Sequence, residues 1–71
     1  MRPIKRSLTI AGHRTSISLE PPFWEALQEV AAAEGATVTG LVARIDADGE
    51  ISGLSSRIRM HILRHFRERN T

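Results

Sequence analysis

From Arg14 to Leu19 the side chains alternate strictly, and at Pro21-Pro22 the alternation stops. Arg14, Ser16 and Ser18 share one parity, and Thr15, Ile17 and Leu19 the other. A β-strand sends successive side chains to opposite faces, so this stretch has one polar face and one largely apolar face. The apolar parity needs cover, and the remaining residues must supply it. With 71 residues the chain makes one domain, and a domain of this size buries only a modest share of its surface. It has no cysteine, so neither disulfides nor thiolate-bound metal can reinforce it. Oligomerisation is the expected support.

Upstream, Lys5 to Ile10 alternates in the same way, with Ser7 and Thr9 opposite in parity to Leu8 and Ile10. Ala11-Gly12 suits a turn, because glycine accepts the positive φ that tight hairpins need. A two-residue turn sets Ile10 against His13, Leu8 against Thr15 and Arg6 against Ile17. The apolar face is then Leu8, Ile10, Ile17 and Leu19, together with Thr15, Arg6 and His13. The polar face is Lys5, Ser7, Thr9, Arg14, Ser16 and Ser18. A four-residue turn sorts the faces identically, and a three-residue turn mixes them. The alternative is a loose arm ahead of a single strand. Residues 1–4 are expected to form a flexible arm and 5–19 the ribbon or hairpin.

Three helices should follow. Prolines at 21 and 22 suit a first helical turn, and Phe23, Leu27, Val30 and Ala31 recur at helical spacing beside Trp24. This helix is expected over 21–34, ended by Gly35. Thr37 is a good N-cap for a second helix over 38–47, with Val38, Leu41, Val42 and Ile45 as its apolar stripe. Gly40 inside it costs about 1 kcal/mol against alanine, which points to a close contact there. Asp48-Gly49 should end it. Ser52 is placed to cap a third helix over 53–69, in which Leu54, Ile58, Ile62 and Phe66 recur with Leu63 adjoining. Arg57, Arg64 and Arg67 take its opposite side. The whole is an α+β fold, two short strands and then three helices. A lone hairpin needs another layer to bury its face, and its free edge needs a partner, for which a second copy is the natural candidate.

The net charge of +2 hides a segregation. Arg2, Lys5, Arg6 and Arg14 precede the first acid, the acids gather between Glu20 and Glu50, and five arginines follow Arg57 inclusive. Basic ends on a small domain suit a polyanion. No apolar run approaches the about 20 residues that cross a bilayer, and no signal-peptide core follows the basic start, so a cytoplasmic protein is expected. His61 and His65 are four apart, as in some zinc sites, but no acid or third histidine sits at matching spacing, and Glu68 is the only nearby candidate. Asp46-Ala47-Asp48-Gly49-Glu50 lacks the spaced ligands of a calcium loop and reads as a helix-ending turn. No hydroxyl has a histidine–carboxylate pattern around it, so neither an enzyme nor a cofactor is expected.

The run Arg14–Pro21, the helix Phe23–Glu34, Gly35 and the helix capped at Thr37 resemble the ribbon-helix-helix DNA-binding proteins of prokaryotes. Lys5-Arg6-Ser7, Gly12–Glu20, Phe23-Trp24 and Leu54–Arg59 resemble a subgroup with extra N-terminal residues and an added C-terminal helix. The resemblance covers about residues 5 to 66. It implies an intertwined homodimer whose two-stranded ribbon enters the major groove of double-stranded DNA. Carried onto this chain, Arg14, Ser16 and Ser18 contact bases. Thr37 and the backbone amides of Val38 and Thr39 clamp phosphate, as the positive end of a helix favours. If the extra strand widens the sheet, Lys5, Ser7 and Thr9 meet the DNA backbone. If it is an arm, Arg2, Lys5 and Arg6 track phosphates or enter a minor groove. His13, at the turn, suits a phosphate contact or a structural hydrogen bond. The implied role is a transcriptional regulator, a repressor, associated with the nucleoid when bound. The alternatives are an antitoxin that binds a toxin through its C-terminal part, and an interaction module without DNA binding. Ribbon positions in this family are often long polar or basic side chains. Here two of three are serine, which leaves direct readout mainly to Arg14.

Overall fold

The structure, a computed structural model, describes residues 1–47 and 53–69. Strand β1 (Ile4–Ile10) and strand β2 (His13–Leu19) form an antiparallel hairpin, followed by helices α1 (Pro21–Ala33), α2 (Val38–Ala47) and α3 (Leu54–Arg69). The fold is therefore α+β, two strands and three helices. The suggested cap at Ser52, the stop at Asp48-Gly49 and most of the acidic 46–50 run lie outside the described residues.

The hairpin register pairs Ile10 with His13, Leu8 with Thr15 and Arg6 with Ile17, as a two-residue turn demands. Both turn residues have positive φ, 50° at Ala11 and 81° at Gly12. That is the pattern of a type I′ turn, whose twist matches that of the strands it joins. The first strand is thus not an arm. The helices cover the inward face of the hairpin. Ile10, Ile17 and Leu19 pack with Leu27, Val30 and Ala31 of α1, Leu41, Val42 and Ile45 of α2, and Ile58 and Ile62 of α3. Ile17 and Leu19 are 1% and 0% exposed within this one chain.

Local chemistry sets the ends of α1 and α2. At the C-terminus of α1, Gly35 has φ 69°, the Ala36 amide donates to the Ala31 carbonyl at 2.9 Å, and the Gly35 amide to Ala32 at 3.1 Å. This double bond is a Schellman closure, which a left-handed residue makes possible. At α2 the Thr37 hydroxyl accepts from the Gly40 amide at 3.0 Å, satisfying a donor that the helix itself leaves open. A Cβ on residue 40 would sit 3.0 Å from that hydroxyl, so the close contact at Gly40 is with its own helix cap. The C-terminus of α2 is closed from α3. Arg57 donates to the Ile45 carbonyl at 3.1 Å and the Asp46 carbonyl at 3.4 Å. Cations are favoured at that end of a helix. Two expectations for α3 therefore change. Arg57 is turned into the fold, because the carbonyls it closes lie there. Leu63 is 53% exposed beside Met60 at 61%, because the i, i+4 stripe through Ile58 and Ile62 already fills the contact with the hairpin and helices.

Candidate nucleic-acid interface

With helices on one face, the other face of the hairpin is open. The alternation delivers six side chains to it, in the cross-strand pairs Lys5–Ser18, Ser7–Ser16 and Thr9–Arg14. All are exposed except Ser18, which is half-buried. The face holds two cations, hydroxyls between them and no acid. An array of this kind offers hydrogen bonds and positive charge to a polyanion, on a ribbon two strands wide.

The end of the ribbon nearest α1 is fixed by α3. The Ser18 amide donates to the Ser55 hydroxyl at 2.9 Å, and Arg59 donates to the Ser18 carbonyl at 3.0 Å. Arg59 also forms an ion pair with Glu20 at 3.0 Å and lies over the Phe23 ring, 5.7 Å from its centroid. The Glu20 carboxyl, held by its own backbone amide and then by Arg59, stays below the usual carboxylate range. Sequence reading assigns no role to Ser55 or Arg59. Their spacing of four places them on one helix face, but their partners are 37 and 41 residues away, where spacing gives no guide.

The other expected contacts are dispersed. Arg6 is on the inward face, its guanidinium 4.2 Å from the Trp24 ring centroid, a cation–π stack. His13 is exposed at the turn. Thr37 has its hydroxyl committed to the α2 cap, which leaves the Val38 and Thr39 amides at the helix start. Of the histidines, His61 Nε2 is 2.7 Å from Glu34 Oε2, and His65 packs edge-on to Phe66. Glu34 also pairs with Arg44, so one carboxylate at the end of α1 joins all three helices. Its pKa is lowered, chiefly by the hydrogen bond from His61 and further by Arg44. No cluster of three potential metal ligands occurs among the described residues. Among the described residues no helix is long and apolar enough to cross a membrane.

A hairpin with a polar outer face, followed by capped helices that bury its inner face, is the build of a ribbon-helix-helix domain. The family model of that name, described as a ribbon-helix-helix domain, matches residues 3–66, and the chain belongs to this family. Domains of the family bind DNA and dimerise, and are typically those of transcription regulators or antitoxins. Among solved structures the chain is similar to an uncharacterized protein from Bordetella pertussis Tohama I, with 38% sequence identity and a TM-score of 0.72. The match covers 89% of this chain and 54% of that one, so the chain spans about half the length of this relative. No curated protein matches.

Proposed function

We propose that this protein is a sequence-specific DNA-binding transcriptional regulator that acts as a repressor, with the outer face of the hairpin in the major groove. The observation that carries the reading is the six-residue polar face, free of acids and backed by a complete core. The major groove is wide enough for a two-stranded ribbon. Arg14 supplies the main base contact, since arginine can bind guanine O6 and N7 together. Ser16 and Ser18 contribute shorter contacts. Lys5, Ser7 and Thr9 reach the flanking phosphates, and the Val38 and Thr39 amides favour an anion at the start of α2. Arg6, turned inward, supports the ribbon by its stack on Trp24. A repressor of this kind occupies its site in the cytoplasm and needs no catalytic group.

Selection of bound sequences from random duplexes tests the reading. The protein should enrich a defined motif, and Arg14→Ala should lose the preference while keeping its fold by circular dichroism. Unchanged selectivity in Arg14→Ala would remove the ribbon from the readout.

The exposed Met60 and Leu63 favour a second role for α3, as the surface that meets a protein partner in an antitoxin-like arrangement. Under that reading Leu63→Glu abolishes partner capture and leaves DNA selectivity intact. Under the first reading alone it changes neither.

A further inference from the structure

Domains of this family dimerise, and the edge of β2 that β1 leaves open is where a second strand can pair. We infer that α3 adds a further contact to that dimer: its Met60–Leu63 face packs against the second copy beside the β2 edge. The inference rests on the family's dimerisation and is independent of DNA reading.

Two observations carry it. The first is continuity. In a hairpin with a two-residue turn the pair that closes the turn is hydrogen-bonded, so alternate residues of β2, Ser18 among them, aim their backbone groups at the open edge. The Ser18 amide donates to the Ser55 hydroxyl, and its carbonyl accepts from Arg59. Helix α3 therefore stands beside that edge. Ser55, Arg59, Leu63 and Arg67 follow at intervals of four, which on a helix makes one row. The row that grips β2 thus runs on to Leu63, about 6 Å further along the axis, with Met60 next to it. There Met60, Leu63, Arg64, Arg67 and Glu68 line an open, mainly apolar groove. A second copy on the β2 edge comes up against this face.

The second observation is where apolar surface is left to bury. A stable interface covers about 800 Å² on each partner. Strand pairing supplies hydrogen bonds but little apolar area, and the inward side chains Ile17 and Leu19 are already buried. The exposed large hydrophobic residues among those described are Met1, Ile4, Met60 and Leu63. Met1 precedes β1 and Ile4 lies in it, on the far strand of the hairpin from the open edge of β2. Met60 and Leu63 are the pair that continues from that edge. Arg64, Arg67 and Glu68 beside them give the charged rim that surrounds the apolar centre of an interface.

Sedimentation equilibrium in the absence of DNA tests the contact. Leu63→Glu should raise the dimer dissociation constant at least about tenfold, while Leu63→Met should stay within about twofold of wild type. An unchanged constant in Leu63→Glu would overturn the inference and leave the face to a different partner. A wild-type chain that stays monomeric would also overturn it. If Leu63→Glu loses its circular dichroism spectrum, thiol protection decides. The chain has no cysteine, so Leu63→Cys carries a single thiol. Its reaction with a maleimide should slow as the protein is concentrated through its dimer constant. Ser7→Cys, on the outer face of the hairpin, should react alike at every concentration. Equal reactivity of Leu63→Cys throughout, or parallel slowing of both thiols, would overturn the inference. Neither measurement involves DNA, so a failure of the DNA reading would leave both results standing.

Discussion

Single residues set the geometry at both ends of the ribbon and of α2. Ala11 has φ 50° without the excuse of glycine, in a turn that favours asparagine at that position. Ala11→Asn should therefore stabilise the fold by about 0.5–1 kcal/mol, read as a higher urea midpoint with an unchanged slope. Thr37 and Gly40 form one unit through the cap bond. Removing the hydroxyl in Thr37→Ala should cost about 1 kcal/mol. Gly40→Ala alone should gain little, because its Cβ meets the Thr37 hydroxyl. In the Thr37→Ala background the same change should recover about 1 kcal/mol of helix propensity. Additive single and double variants would show that the cap does not constrain residue 40. The alternation from Arg14 to Leu19 and the Ala11-Gly12 turn made the hairpin register legible in the sequence, because both are local. Gly40 was marked by its propensity cost, yet its partner, the cap three residues back, emerged only with the helix in place.

At the scale of elements, α3 does more than cover the core. Its buried stripe joins hairpin and helices, Arg57 closes α2, and Ser55 and Arg59 hold β2. Ile58→Ala should cost about 2–5 kcal/mol, as expected for a fully buried side chain. Leu63→Ala should stay within about 0.5 kcal/mol, since that side chain is largely exposed. Similar losses at both positions in chemical denaturation would place Leu63 in the core after all. The apolar period of α3 was readable and set Ile62 in the stripe with Leu63 beside it, but the period does not say how far a residue at the margin of the stripe is exposed. The docking angle of the helix sets that exposure. Arg57 illustrates the same limit: helical spacing put it on the wet side, whereas its long side chain reaches the end of α2.

For the whole molecule, Glu34 is the point where the three helices meet electrostatically. Its pKa is below the ordinary 4.5 in the folded chain, so the folded state binds fewer protons there than the unfolded state. The stabilisation is fully present above the ordinary carboxylate value and is lost as pH falls through the lowered one. Glu20 has the same sign through Arg59. Stability measured against pH should hold from neutrality to about 5 and then decline in acid. Glu34→Gln should reduce that acid-side decline, and an unaltered profile would contradict the linkage. The charge segregation of the sequence pointed to a polyanion, and the structure gathers Lys5 and Arg14 on one open face. Arg6, equally basic, lies against Trp24 instead, a pairing that no local pattern announces.

The central claim is that the outer face of the hairpin lies in the major groove. Methylation interference on a selected duplex tests it most directly, because guanine N7 is exposed only in that groove and adenine N3 only in the minor one. Guanine N7 methylation within the site should block wild-type binding, and Arg14→Ala should lose that sensitivity at the guanine it contacts. Interference confined to adenine N3, or guanine sensitivity unchanged in Arg14→Ala, would contradict the account.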